Sequence, residues 1–137
     1  MKRVMGLVAL ILTLAVALSF TGCATTKLSE AFDQAAVEAK AKEVIDTLNT
    51  GDYEGVSMMV REDLRPQLSA SVIEGAVAQI YGDAGPFSSY ENISVVGKKI
   101  EEADAAIALV QTKYGKQKVT FTLMLNQKLE LIGFFIK

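Results

Sequence analysis

The chain contains no histidine. That removes the side chain most used as a general base near neutral pH and as a metal ligand. Cysteine occurs once, at position 23, so no disulfide within the chain and no Cys-x-x-Cys site can form. A Gly-x-Ser-x-Gly nucleophile elbow and a phosphate-binding P-loop are also missing. The lysines are scattered and form no basic stripe with interleaved aromatics, which excludes a nucleic-acid partner. There is no internal repeat, no low-complexity tract and no long polar linker. No motif calls for a cofactor or a metal.

The N-terminus is distinctive. Lys2 and Arg3 precede residues 4 to 20, in which only Gly6, Thr13 and Ser19 are not strongly apolar. As a helix this stretch would cover about 25 Å, short of the ~30 Å hydrocarbon core of a bilayer, which favours a signal peptide over a permanent anchor. Phe20-Thr21-Gly22-Cys23 resembles a bacterial lipobox, with Phe20 where leucine is usual. That resemblance implies diacylglyceryl transfer to the Cys23 thiol and cleavage that leaves Cys23 first. The alternative is that Cys23 is an ordinary small residue beside a cleavage site, but a lone thiol in an exported protein has no disulfide partner. At about 0.8 kcal/mol per buried methylene, two acyl chains hold a protein at a membrane where one short chain does not. Ala24 stands where inner-membrane retention often uses aspartate, so the expected location is the cell membrane or the outer membrane, facing away from the cytoplasm.

Three segments follow: a signal peptide over 1–22, a short tether over 23–28 and a single domain over 29–137. Ala24 to Leu28 reaches about 17 Å when extended, so the domain is expected close to the lipid surface. Residues 23–90 carry 11 acids against 5 bases and residues 91–137 carry 5 acids against 7 bases.

The first part of the domain reads as helical. Ser29 is the expected N-cap, with Glu30 and Asp33 in the first turn; Phe32, Val37, Ala41, Val44, Ile45 and Leu48 form one apolar stripe that stops before Gly51. A short helix is expected over 53–60, ended by the approach to Pro66. A third starts at the capping box Ser71-x-x-Glu74 and stops near Gly82.

The pattern then changes to period two, with strands expected over 91–100, 104–114, 117–125 and 129–136. Gly115-Lys116 suits a two-residue type II′ hairpin. That register sets Val110 opposite Phe121, Ala108 opposite Leu123 and Thr112 opposite Val119, giving one apolar face for the helices. A loop at Asn126-Gln127-Lys128 would add Leu129 and Leu131 to it. The opposite face would carry Ile107, Leu109, Met124, Ile132, Phe134 and Ile136 among polar residues, with Lys113 facing Lys118. Such a mixture either meets a partner or is covered by the chain's own loops.

The stretch VIDTLNTGDYEGVSMMV, residues 44–60, resembles the helix-turn-helix opening of the nuclear transport factor 2 like superfamily. Followed by another helix and an antiparallel meander, residues 30–136 are most similar to the bacterial family called domain of unknown function 3887, often small lipoproteins. The resemblance implies an α+β cone: N-terminal helices packed on one face of a bent antiparallel meander of about four strands, with a cavity at the open end. It also implies frequent pairing through the sheet.

Candidate chemistry is thin. Asp52 and Glu54 flank Tyr53, yet Asp52 reads as a helix cap. Glu101, Glu102 and Asp104 could hold a hard cation loosely or be solvated. By analogy with the fold, Tyr53, Met58, Met59, Tyr81 and Phe87 would line the cavity for an apolar or amphipathic ligand, or else complete the core. The expected function is a membrane-tethered, non-catalytic binding or interaction module of the bacterial envelope, anchored through Cys23. Ile107, Leu109, Met124, Ile132 and Phe134 would form its contact face toward an envelope protein or a second copy. The alternative is a small carboxylate-dependent hydrolase or isomerase working in the cone cavity.

Overall fold

A computed structural model describes residues 26–137. The apolar segment over residues 4–20 and the lipobox with Cys23 lie outside the described residues. Three helices precede a four-stranded antiparallel sheet of order β1-β2-β3-β4, an α+β arrangement as expected.

Helix α1 spans Gln34–Asn49, and the stripe Val37, Ala41, Val44, Ile45, Leu48 is buried along it. Its N-cap is Asp33, whose carboxylate accepts from the Ala35 N–H at 3.3 Å; Ser29 is not the cap. Ser29 is engaged elsewhere, because its hydroxyl donates to Asp104 Oδ2 at 3.0 Å while the Ser29 carbonyl receives the Phe32 N–H at 3.1 Å. The chain must first leave the sheet edge: Thr26 pairs with Gly97 through N–H···O bonds of 2.8 and 2.7 Å. A Cβ at Gly97 would lie 2.4 Å from the Lys27 carbonyl oxygen, so this crossing demands glycine. Thr26 to Leu28, part of the expected tether, is therefore drawn into the fold. At the other end of α1, Gly51 takes φ +79°, its N–H bonds Leu48 O and the Asp52 N–H bonds Thr47 O, which is a Schellman closure.

Helix α2 covers Tyr53–Met59 and is capped by Asp52, which accepts from the Gly55 N–H at 2.9 Å. A 3₁₀ turn at Glu62–Leu64 leads past Pro66 to α3, Ala70–Ala84. The expected capping box does not form. The N-cap is Ser69 and makes no side-chain cap bond, and its hydroxyl lies 3.3 Å from that of Ser71. The helix also runs past Gly82 to a buried Ala84 and ends at Gly85, φ +78°.

The strands are β1 Phe87–Ile100, β2 Ala103–Tyr114, β3 Lys118–Leu125 and β4 Leu131–Ile136. The β2–β3 register is the expected one, with Val110, Ala108 and Thr112 opposite Phe121, Leu123 and Val119. Lys113 does face Lys118, and Glu91 on β1 offsets the repulsion with an oxygen 3.3 Å from Lys118 Nζ. The two-residue turn is present, closed by Tyr114 N–H to Gln117 O at 2.9 Å, but Gly115 lacks the positive φ that type II′ needs. Its geometry is set from outside: the N–H groups of Gly115 and Lys116 donate to the carbonyls of Pro86 and Ala84, each at 2.8 Å.

β4 departs most from expectation. Asn126 Oδ1 accepts from the N–H groups of Lys128 and Glu130, and Leu129 takes φ +60°, so the loop is longer and the strand begins at Leu131. There, Arg61 N–H bonds the Leu131 carbonyl at 3.0 Å. Leu125 pairs with Leu131 but Met124 pairs with Gly133, which leaves Ile132 as a bulge. One extra residue exchanges the faces of everything after it. Phe134 and Ile136 accordingly oppose Leu123 and Phe121 and pack against the core, which corrects their expected place on the outer face. Phe135 takes the outward position and is 63% exposed.

The core between helices and sheet is built on Ile45, Leu48, Ile73, Phe121, Leu123, Leu125 and Leu131, all fully buried. Among the described residues no helix is long and apolar enough to cross a membrane.

Candidate functional site

The outer face of the sheet divides into two halves. Toward the Gly115 turn the paired positions are polar: Asn92, Gln111 and Thr120, then Lys113 and Lys118. Toward the other end Leu109 stands opposite Thr122, which in turn faces Phe135. The next row runs Val96, Ile107, Met124, Gly133. Leu109 is 37% exposed, whereas Ile107 is only 7% exposed because Val96 and Met124 flank it on both sides. A Cβ at Gly133 would meet Met124 Sδ at 2.8 Å, so the thioether lies across this glycine. Of the residues expected on this face, Ile107, Leu109 and Met124 are there and Ile132 sits in the bulge. Phe134 is not among them, and Phe135 is the residue that period-two reading missed.

Beyond this apolar half, at the sheet end formed by the β1–β2 and β3–β4 connections, lies a hollow of about 320 Å³. Ile100, Ala105, Met124 and Ile132 give it an apolar floor, and Arg61, Glu101 and Asp104 stand around it. Lys128 and Glu130 line a shallower depression that shares Arg61 and Asp104. Arg61 is not a free cation here. Its Nε and Nη2 fork onto the two oxygens of Asp63 at 2.6 and 3.0 Å. The hydrogen bond that Arg61 donates to Asp63 raises the Arg61 pKa, with Glu101 and Glu130 adding their charge, and the same bond lowers that of Asp63. Asp104 accepts from Ser29, and Glu130 Oε1 accepts from Asn126 Nδ2 at 3.0 Å.

Of the residues expected around a cone mouth, Tyr81 and Phe87 lie at the opposite end of β1, where they fill space. Tyr81 stacks near Tyr114 with centroids 5.4 Å apart, and Phe87 packs edgewise on Tyr90 at 5.1 Å and on Tyr114 at 5.5 Å. Tyr53 and Met59 are half-buried against the core, while Met58 is turned outward and 60% exposed. Three polar anchors complete the cluster. The Tyr114 hydroxyl donates to Asn49 Oδ1 at 2.6 Å and lies 3.2 Å from the Tyr81 hydroxyl, and the Tyr90 hydroxyl donates to Asp46 Oδ1 at 2.6 Å. Burial pushes the phenols of Tyr81, Tyr90 and Tyr114 up, in Tyr90 with help from Asp46. They are held neutral and serve as packing and hydrogen-bonding groups. Among the described residues, Asn49 Nδ2 is buried without an acceptor. Sequence reading did not bring Tyr90, Tyr114, Asn49 and Asp46 together, since the hydroxyl bonds from Tyr90 and Tyr114 span 44 and 65 residues.

Among the described residues no three of His, Cys, Asp and Glu gather as metal ligands. Asp52 serves as a cap, and Glu101 and Glu102 are exposed in the β1–β2 turn. Residues 41–134 match the family described as Protein of unknown function (DUF3887). The chain belongs to this family. No curated protein matches it. Its fold is similar to that in an NMR structure of a protein from Ruminococcus gnavus ATCC 29149, with a TM-score of 0.72 and 22% identity over 80% of this chain and 96% of that one. At that identity the likeness speaks for the fold: three helices followed by an open antiparallel sheet.

Proposed function

We propose that this DUF3887 protein is a non-catalytic binding module of the bacterial envelope, tethered by a lipidated Cys23, that meets a protein partner through the apolar half of its outer sheet face. The observation that carries the reading is the row Leu109, Thr122, Phe135, where a leucine 37% exposed and a phenylalanine 63% exposed flank the intervening threonine. Large apolar groups exposed in the same row of a sheet, next to a further apolar row, mark a contact site. The tether supports the same reading, since Cys23 precedes the sheet-bound Thr26 by three residues, or about 10 Å of extended chain. Four of the carboxylates have structural roles: Asp33 and Asp52 cap helices, Asp46 holds Tyr90 and Asp63 holds Arg61.

Two measurements on the full chain test this. Intact mass and fractionation come first: the mature protein should begin at a diacylated Cys23 and leave the membrane fraction when Cys23 is replaced by alanine. A photo-crosslinking amino acid at position 135 should then give a discrete adduct that one at position 113 does not, and Leu109→Lys should abolish it. Equal labelling from both positions would refute the sheet-face contact.

A further inference from the structure

We infer that the hollow at the Ile100–Asp104 end of the sheet is a binding site for a small amphiphile carrying an ammonium group on an alkyl body. Its volume, about 320 Å³, suits one short amphiphilic chain. The floor is apolar and adaptable. Ala105 and Ile100 are short or branched, Ile132 projects from a bulge, and Met124 is an unbranched thioether that can re-pack around a guest.

The rim selects the charge. Glu101, Asp104 and Glu130 stand against Arg61 and Lys128 around the hollow and its adjoining depression. Lys128 lines only the adjoining depression; in the hollow itself an anionic ligand would need the Arg61 guanidinium, whose fork is already bound by both oxygens of Asp63. A cation meets Asp104, which spends one oxygen on Ser29 and keeps the other, and Glu101, which has no hydrogen bond from a protein donor among the described residues. An ammonium group donates three hydrogen bonds and so satisfies several carboxylate oxygens at once.

The position of the hollow points the same way, and this step rests on the Cys23 tether proposed above. Thr26 is pinned to Gly97 and Ser29 to Asp104, so the described chain begins beside the strand that ends at Ile100. A lipid on Cys23 would hold this end of the domain near the membrane surface, where amphiphiles are concentrated.

The test uses the full chain with ¹³C-methyl methionine in phosphatidylcholine nanodiscs, titrated with hexylammonium, hexanoate and hexanol. The Met124 methyl signal should shift saturably with hexylammonium, at least tenfold tighter than with the other two. Asp104→Asn keeps an acceptor for Ser29 and should weaken binding about tenfold. Ala103→Leu, at an exposed residue lining the hollow, should block it. Discs that contain phosphatidylethanolamine separate the sources: a Met124 shift there without added amine assigns the lipid headgroup, and a shift only on adding hexylammonium assigns a free amine. An unmoved Met124 methyl, equal binding of hexanoate, or an unaffected Asp104→Asn variant would overturn the inference. Because the titration needs no anchor, a chain whose Cys23 proves unmodified but whose Met124 still responds would keep the site and discard the tether.

Discussion

Replacing Gly97 by alanine should peel the N-terminal strap off the sheet. The new Cβ would lie 2.4 Å from Lys27 O, 3.1 Å from Lys27 C and 3.2 Å from Leu28 Cα. These are backbone atoms, so no change of rotamer relieves the clash. β1 is paired with β2 along its length and cannot retreat, whereas the strap is held by the Thr26 bridge and the Ser29–Asp104 bond. The strap therefore gives way. Losing the two bridge hydrogen bonds costs about 1 kcal/mol each. Exposing the half-buried Leu28, which packs against the core, adds about 1 kcal/mol. Alanine returns roughly 0.5–1 kcal/mol by restricting the unfolded chain. The net is a loss of about 2 kcal/mol, read as a lower urea midpoint, with a slightly smaller slope because the freed strap already exposes surface in the folded state. Amide exchange at Thr26 and Gly97 should accelerate in the same variant. Gly75→Ala is the control, since nothing lies within 4 Å of its Cβ position in α3, and it should stabilise by roughly 0.5–1 kcal/mol. A Gly97→Ala protein as stable as the parent, with both amides still protected, would refute the reasoning.

The bulge at Ile132 sets the other expectations for stability. Phe135→Ser should change unfolding free energy by less than about 0.5 kcal/mol, whereas Phe134→Ala should cost about 2–3 kcal/mol; the reverse order in urea titrations would mean that β4 has no face exchange. Alkaline unfolding should follow the tyrosine cluster. The phenols of Tyr81, Tyr90 and Tyr114 have folded pKa values raised above the usual value of about 10, so the folded state keeps protons that the unfolded state releases. Stability from these groups is complete below about pH 10 and falls as pH rises beyond it. Tyrosinate absorbance of the folded protein should lag that of the urea-unfolded chain, and coincident titration curves would contradict the burial of the cluster.

The elements that sequence reading placed well are those whose evidence is local. The stripe from Val37 to Leu48 lies on one side of a 3.6-residue period, and Gly51 and Asp52 close and open adjacent helices through bonds within five residues. The β2–β3 register follows from a two-residue turn and from matching apolar positions on both sides of it. The candidate sites were less legible. Asp33 caps α1, while Ser29 bonds Asp104, 75 residues away. The capping box at Ser71 goes unused, with Ser69 as the N-cap.

What the sequence determined by itself is the order of three helices and four strands and the apolar face that joins them, since each rests on periodicity among near neighbours. The tertiary structure alone decided which residues face outward on β4. Asn126 folds the loop onto Glu130, Arg61 bonds Leu131, and the register must then absorb Ile132. It alone gathered the hollow, whose walls come from the α2–α3 connection and all four strands or their turns. The physical reason is the same in each case: a period constrains a side chain relative to its own strand, while a bulge or a cavity is set by backbone groups that must find partners from distant segments.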